Sequence, residues 1–209
     1  MTRDAALAAG IDALGLQLRP FQRQQLLTYI GLLAKWNEVY NLTAIRDEHE
    51  MLSHHLLDSL ALVPHIDGPN VLDVGSGAGL PGIPVAIARS ECEVTLLDSN
   101  KKKAAFMQQA VIELELANAT VCSARVETWQ PDRRFDVIAS RAFSSLADFV
   151  RDSQHLLAVR GVFAAMKGAY PDAELARLPK DYRVRSVKRL VVPGLTGERH
   201  LVLVERATS

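Results

Sequence analysis

Cysteine is scarce: the 209 residues contain two, Cys92 and Cys122. A disulfide scaffold is excluded, and the pair fits a reducing cytoplasm as small buried hydrophobes. No Cys/His spacing resembles a zinc site, so no metal is expected. No apolar run approaches the ~18 residues of a membrane span, so no membrane segment is expected. The opening stretch, MTRDAALAAGIDALG, carries Asp4 and Asp12 among its apolar residues, which a signal peptide would not. Neither sign of charge dominates, with 24 Lys and Arg against 24 Asp and Glu. That balance argues against a protein that coats nucleic acid indiscriminately but permits a local basic face. Internal repeats and low-complexity tracts are also missing.

What is present is ordinary globular composition, 48% hydrophobic and 23% charged. The length suits one compact unit that buries roughly 70% of its unfolded surface. Residues 1–65 read as a helical N-terminal extension. Pro20 opens one helix, and Leu26, Ile30, Leu33 and Tyr40 carry it to Asn41. Asp47 starts another, with Glu50 completing a capping-box pattern and Pro64 ending it. Residues 66–209 alternate short apolar runs, at 71–74, 94–97, 120–122, 135–139 and 162–166, with helical patterns at 102–116 and 146–157. Such alternation predicts an α/β fold with a mostly parallel sheet. The runs at 184–192 and 200–205 have only a Pro-Gly turn region between them, which predicts a terminal antiparallel hairpin and seven strands in all.

The segment VLDVGSGAGLPGIPVAIA, residues 71–88, is the most informative. A buried strand runs into Gly75, Gly77, Gly79 and Gly82 and then a helix, so the loop lies at the sheet's carboxyl edge, where ligands bind. Two cofactors compete for it. Gly77 to Gly82 matches the dinucleotide pattern GxGxxG, but two residues late, and Pro81 and Pro84 remove amides a pyrophosphate would use. The other frame is Asp73 followed by Gly75, Gly77 and Gly79, which suits S-adenosylmethionine (SAM). SAM has no phosphate but carries a cationic amino group and a sulfonium that Asp73 can face. Asp98, 23 residues after Gly75, ends the second strand where a carboxylate accepts ribose hydroxyls; this holds for either cofactor. The terminal hairpin favours SAM, because a seventh antiparallel strand belongs to SAM-dependent folds rather than to dehydrogenases.

Beyond the loop, the stretches YNLTAIRDEHEMLSHHLLDSL (40–60), TLLDSNKKKAAFM (95–107), SARVE (123–127), FDVIASRAFSSL (135–146), MKG (166–168) and GERHLVLV (197–204) occur in order over nearly the whole chain. Together they resemble the ribosomal RNA small-subunit methyltransferase G family, also called glucose-inhibited division protein B. The resemblance implies a Rossmann-like SAM-dependent methyltransferase. It also implies methylation of guanine N7 at position 527 of 16S rRNA, with naked rRNA or the small subunit as partner. It implies that Gly75 and Leu80 touch SAM, that Val126 and Glu127 flank the adenine, and that Arg141 stands at the cofactor's edge of the active site. Alternatives from other classes are a SAM-dependent enzyme acting on a small molecule and a non-catalytic nucleotide-binding protein. Nothing demands a dimer, and a cytoplasmic monomer is expected.

The fourth strand lacks two kinds of machinery. Ser140-Arg141-Ala142-Phe143 replaces the Asn-Pro-Pro-Tyr clamp of exocyclic-amine methylation, and neither cysteine sits in the Pro-Cys context of a pyrimidine-C5 nucleophile. Guanine N7 needs neither, because its in-plane lone pair carries no proton. Arg141, Phe143 and Lys167 are therefore candidates for positioning rather than for chemistry. Phe143 is placed either to stack on a flipped guanine or to pack in the core. His54 and His55 read as structural residues of a buried helix. Lys167, Arg199 and His200 point toward one sheet edge as candidate RNA-phosphate contacts. The clusters 101–103 and 180–189 are either solvated faces or phosphate sites.

Overall fold

The computed structural model describes residues 2–141, 143 and 145–207; Ala142 of the fourth-strand motif therefore lies outside the described residues. Helices α1 (Arg3–Ala13), α2 (Pro20–Tyr40), α3 (Glu48–Met51) and α4 (Asp58–Leu60) precede the first strand, with a π-helical segment, Leu52–Leu57, between α3 and α4. The strands are β1 (Asn70–Val74), β2 (Glu93–Leu97), β3 (Ala119–Cys122), β4 (Phe135–Ser140), β5 (Leu157–Lys167), β6 (Tyr182–Arg189) and β7 (His200–Arg206). Helices α5 (Gly82–Ala88), α6 (Lys101–Glu113), α7 (Leu146–Ser153) and α8 (Asp172–Leu175) are interleaved with them.

The expected seven strands form one sheet in the order β3-β2-β1-β4-β5-β7-β6. Every pairing among β1 to β5 is parallel, and β7 runs antiparallel to both of its neighbours. The chain winds outward through β2 and β3, then returns to the other side of β1 with β4. The carboxyl ends of β1 and β4 therefore flank the switch point, where open α/β sheets form their ligand crevice.

Burial follows the pleat. Along β5, Val162, Ala164 and Met166 enter one apolar cluster while Phe163 and Ala165 enter the other. The first cluster also takes Leu7 and Ile11 from α1 and Leu26, Ile30 and Leu33 from α2, so the N-terminal helices pack on that sheet face. In α2, Pro20 needs no amide partner in the first turn, and Asn41 closes the helix at φ 49°. Truncating a fully buried side chain such as Leu33 costs about 2–5 kcal/mol.

Several boundaries move from the sequence expectation. Helix α6 stops at Glu113, where Glu115 turns into the left-handed region at φ 53°. The pattern at 146–157 divides into α7, a 3-10 turn over Gln154–Leu156 and the start of β5. Strand β5 is longer than expected because it continues through a register shift beside Gly161. A Cβ there would press on Leu157 and on the backbone of Phe135, so only glycine lets the strands approach. Strand β6 ends at Arg189, three residues before Val192. No sequence pattern announced the π-helical segment.

Candidate active site

The glycine loop is stitched to the end of β2 through its backbone. The amides of Gly75 and Ser76 both donate to the Leu97 carbonyl, at 2.8 and 3.1 Å. Gly77 donates to Asp98 Oδ2 at 2.8 Å, and the Asn100 amide donates to Asp98 Oδ1 at the same distance. Asp98 thus fixes the loop and the entry to α6 with one carboxylate. Gly75, Gly77 and Gly79 all hold positive φ, at 68°, 60° and 84°. Gly82 is required for a different reason: a Cβ there would overlap Leu96 and crowd Asp73. From the other side, Tyr29 of α2 donates its hydroxyl to the Ala78 carbonyl at 2.6 Å. Burial, the largest influence, pushes the Tyr29 phenol well above its ordinary pKa.

Asp73 lies beneath this loop, 1% exposed. Its Oδ2 accepts the Gly82 amide at 2.8 Å, while Oδ1 has no hydrogen-bond donor among the described residues. Burial pushes its pKa up from 3.8 to about 7, although the Gly82 amide and the neighbouring Ser76 hydroxyl, which donates to the Asp73 carbonyl at 2.8 Å, favour the charged form. An orphaned buried carboxylate oxygen is the kind of feature a cationic ligand would satisfy.

A cavity of about 300 Å³ opens at the switch point. Gly75, Asp98, Val126, Glu127 and Phe143, all expected at the site, line it. So do Lys103, Arg125 and Ser99, which sequence reasoning did not assign there. Lys103 Nζ stands 4.0 Å from where a Gly77 Cβ would project. The walls offer an apolar slot of Val74, Leu97, Val126 and Phe143, with carboxylates from Asp98 and Glu127. That combination suits a flat heterocycle joined to a diol. Phe143 packs on Phe149 with ring centroids 5.1 Å apart, so it is both a core aromatic and a cavity wall. Leu80, only 4% exposed, joins the first core cluster and does not line this cavity. Asp73, Gly77, Arg141 and Lys167 are likewise absent from its walls.

Arg141 and Lys167 instead line a second cavity of about 400 Å³, with Ile45, His54, His55, Asp58, Met166, Gly168 and Arg199. One hydrogen bond links the two linings: Lys167 of the second cavity donates to the carbonyl of Phe143, of the first, at 3.0 Å. Arg141 donates to the His54 carbonyl at 3.0 Å and to Asp58 Oδ2 at 3.2 Å. His55 Nε2 lies 2.9 Å from Thr43 Oγ1, and its Nδ1 has no partner among the described residues. Burial, followed by the Arg141 charge, lowers the His55 pKa from 6.5 to about 4, so the ring is neutral at physiological pH. Asn37 pins the intervening loop by accepting the Thr43 amide and donating to the Ile45 carbonyl.

The expected phosphate contacts divide. Lys167 also pairs with Glu174 at 2.8 Å with its side chain 11% exposed, and His200 is buried against the Gly168 carbonyl at 2.9 Å. Both are committed to internal partners, unlike the open contacts the sequence suggested. Sheet register sets Lys167, His200 and Arg189 in one row across β5, β7 and β6. Within 180–189, Arg183 and Arg185 of the edge strand pair with Glu205. The 101–103 cluster splits: Lys101 and Lys102 are exposed at the start of α6, and Lys103 enters the first cavity. Asp58 and Arg125 escaped sequence reasoning. The signal for Asp58 was an acid within the apolar stretch of residues 51–60, where burial demands a partner. No described helix is long and apolar enough to cross a membrane.

A family model described as rRNA small subunit methyltransferase G matches residues 22–202. A protein named ribosomal RNA small subunit methyltransferase G from Neisseria meningitidis strain Z2491 is 56% identical over 99% of this chain and all of its own length. The protein of that name from Laribacter hongkongensis is 58% identical, covering 94% of this chain and 95% of its own. Among solved structures, the glycopeptide N-methyltransferase MtfA with bound SAM superposes with a TM-score of 0.62 at 14% identity, over 74% of this chain and 88% of that one. A SAM-dependent methyltransferase from Aquifex aeolicus gives 0.58 at 19% identity, over 71% and 89%. At those identities the likeness concerns the fold, which is that of Rossmann-like SAM-dependent methyltransferases.

Proposed function

Because the chain belongs to the rRNA small subunit methyltransferase G family, we propose that it methylates guanine N7 at position 527 of 16S rRNA, and that its two adjoining cavities receive the cofactor and the acceptor base. The pairing of those cavities at the switch point carries the reading. SAM, the cofactor of this class, supplies an electrophilic methyl group on a sulfonium. Asp98 would accept the ribose hydroxyls, and Val126 and Glu127 would flank the adenine. The backbone of Gly75 and Gly77 would hold the methionine end, with Leu80 packed behind it. The unpartnered Oδ1 of Asp73, buried beneath the glycine loop, supports a role toward the cationic groups.

On the acceptor side, Arg141, Phe143 and Lys167 would orient the guanine and the cofactor relative to one another. No residue has to remove a proton, because the N7 lone pair is free before the reaction. His55, its pKa lowered to about 4, is a weak proton acceptor, which is consistent with that absence of base chemistry. The protein's contribution is alignment, which can remove about 7–11 kcal/mol from such a barrier. For the same reason the reaction calls for no metal. We further read residues 1–65 as an extension that closes the acceptor side of the 66–209 unit, and the protein as a cytoplasmic monomer whose partner is 16S rRNA or the small subunit. The shared apolar cluster of α1, α2 and the sheet supports one compact unit.

The test is mass-spectrometric mapping of 16S rRNA from cells that lack their own enzyme of this family, with and without this chain supplied. The expected outcome is 7-methylguanine at position 527 only when the chain is present. Unmodified RNA beside methylation of a small molecule would overturn the proposal.

A further inference from the structure

Asp58 is the most deeply buried charge in the second cavity. Its side chain is 3% exposed, between buried Leu56 and Leu57 of the π-helical segment and buried Leu60 of α4. Each of its oxygens takes one guanidinium: Oδ2 from Arg141 at 3.2 Å, Oδ1 from Arg199 at 3.1 Å. The arginines come from distant parts of the fold. Arg141 follows β4, Arg199 precedes β7, and β5 lies between those strands. Both remain 27% exposed and line the cavity. Arg141 spends Nη1 on Asp58 and His54, and Arg199 spends Nε and Nη1 on Asp58 and Glu198. A guanidinium has five N–H donors, so toward the described residues each has donors left for a ligand. One negative charge shared by two positive ones also leaves the group cationic. A nucleotide offers matching oxygen acceptors, on its phosphate and at guanine O6.

We propose that Asp58 is a positioning residue for RNA: it holds Arg141 and Arg199 at fixed separation and orientation, so that the pair grips oxygen atoms of the target nucleotide while N7 stays free. This rests on the reading of the second cavity as the acceptor site. The π-helical segment ends immediately before Asp58 and supplies His54 and His55 to the same cavity, so a local irregularity of the backbone builds this wall. Without the carboxylate, two flexible cations would repel each other, each held by a single carbonyl, of His54 or of Glu198, with nothing left to link them.

The experiment is steady-state kinetics on whatever form of 16S rRNA the unaltered protein methylates, with SAM titration and circular dichroism alongside. Asp58→Asn keeps the shape and removes the charge. It should lower kcat/KM for RNA at least tenfold while leaving SAM affinity within twofold, and Asp58→Glu should recover part of the loss. A folded Asp58→Asn protein with RNA kinetics within threefold of the original would overturn the proposal. Arg141→Gln and Arg199→Gln separate it from the reading beneath it. If neither substitution alters RNA kinetics, the acceptor-site reading fails and Asp58 falls with it. If both do and Asp58→Asn does not, only the positioning role fails. Should Asp58→Asn not fold, the double substitution Arg141→Gln/Arg199→Gln decides. Partners held by one carboxylate should give losses that differ from the product of the single losses by more than twofold, and a simple product would overturn the proposal.

Discussion

At the scale of single residues, two buried groups pull stability in opposite directions with pH. His55 titrates near 4 in the folded protein against 6.5 free, so between those values the unfolded chain takes up a proton that the fold refuses. Its contribution is present above 6.5 and is lost as pH falls through the window. Asp73 titrates near 7 against 3.8, so the fold keeps a proton that the unfolded chain has released, and stability is lost as pH rises from about 4 to 7. In the shared window the two slopes offset each other. Urea unfolding between about pH 4 and 6.5 should then separate two variants. Asp73→Asn, which removes the falling slope, should become more stable with rising pH relative to the parent. His55→Gln should become less stable. Parallel pH profiles for both variants and the parent would show that neither group is held as described. Asp73 was legible in the sequence as an acid at the strand end, whereas its inward turn toward Gly82 depends on packing between β1 and α5 that one sequence does not display.

At the scale of elements, α6 shows where charge reading by position stops. Lys101, Lys102 and Lys103 are adjacent in sequence, but a helix turns each successive side chain by about 100°. Asn100 caps the helix and so sets its phase, leaving Lys101 and Lys102 in solvent and Lys103 over the glycine loop. Reversing Lys101 and Lys102 together should leave SAM affinity alone. If they meet phosphates, it should lower the slope of log K against log salt by roughly 0.7–0.9 per contact. Lys103→Glu should instead weaken SAM about tenfold, ~1.4 kcal/mol. Equal SAM affinity in both charge variants, measured by titration, would remove Lys103 from the cofactor side. The basic strand β6 is a different case. It is the sheet's outer edge, four strands from β1 and so about 19 Å away. Charged side chains on such an edge discourage pairing with another sheet, which accounts for Arg183 and Arg185 without RNA. Short apolar runs made β1, β2, β4 and the hairpin readable in advance, and near-helical spacing did the same for α2. The π-helical segment was not readable, because a π turn and an α turn draw on the same apolar residues. Arg141, Arg199 and Asp58 were out of reach for another reason: they are 83 and 141 positions apart in pairing, and only the folded sheet brings them together.

At the scale of the whole molecule, the arrangement amounts to two cavities whose linings one hydrogen bond links, with a rigid loop on one side and a charged cluster on the other. On the proposed function, such a molecule would work by holding two reactants in line. It has no clamp for an exocyclic amine and no cysteine placed to attack a pyrimidine, which makes the acceptor atom the central claim. RNA or small subunit carrying 7-deazaguanine at position 527 tests that claim. The analogue replaces the N7 lone pair with a C–H bond and keeps the N1, N2 and O6 edge. Binding should persist, weaker by about 0.5–1.5 kcal/mol at most, and transfer of labelled methyl from SAM should vanish. Label entering the 7-deazaguanine at the normal rate would contradict the account and move the acceptor to N1, N2 or O6.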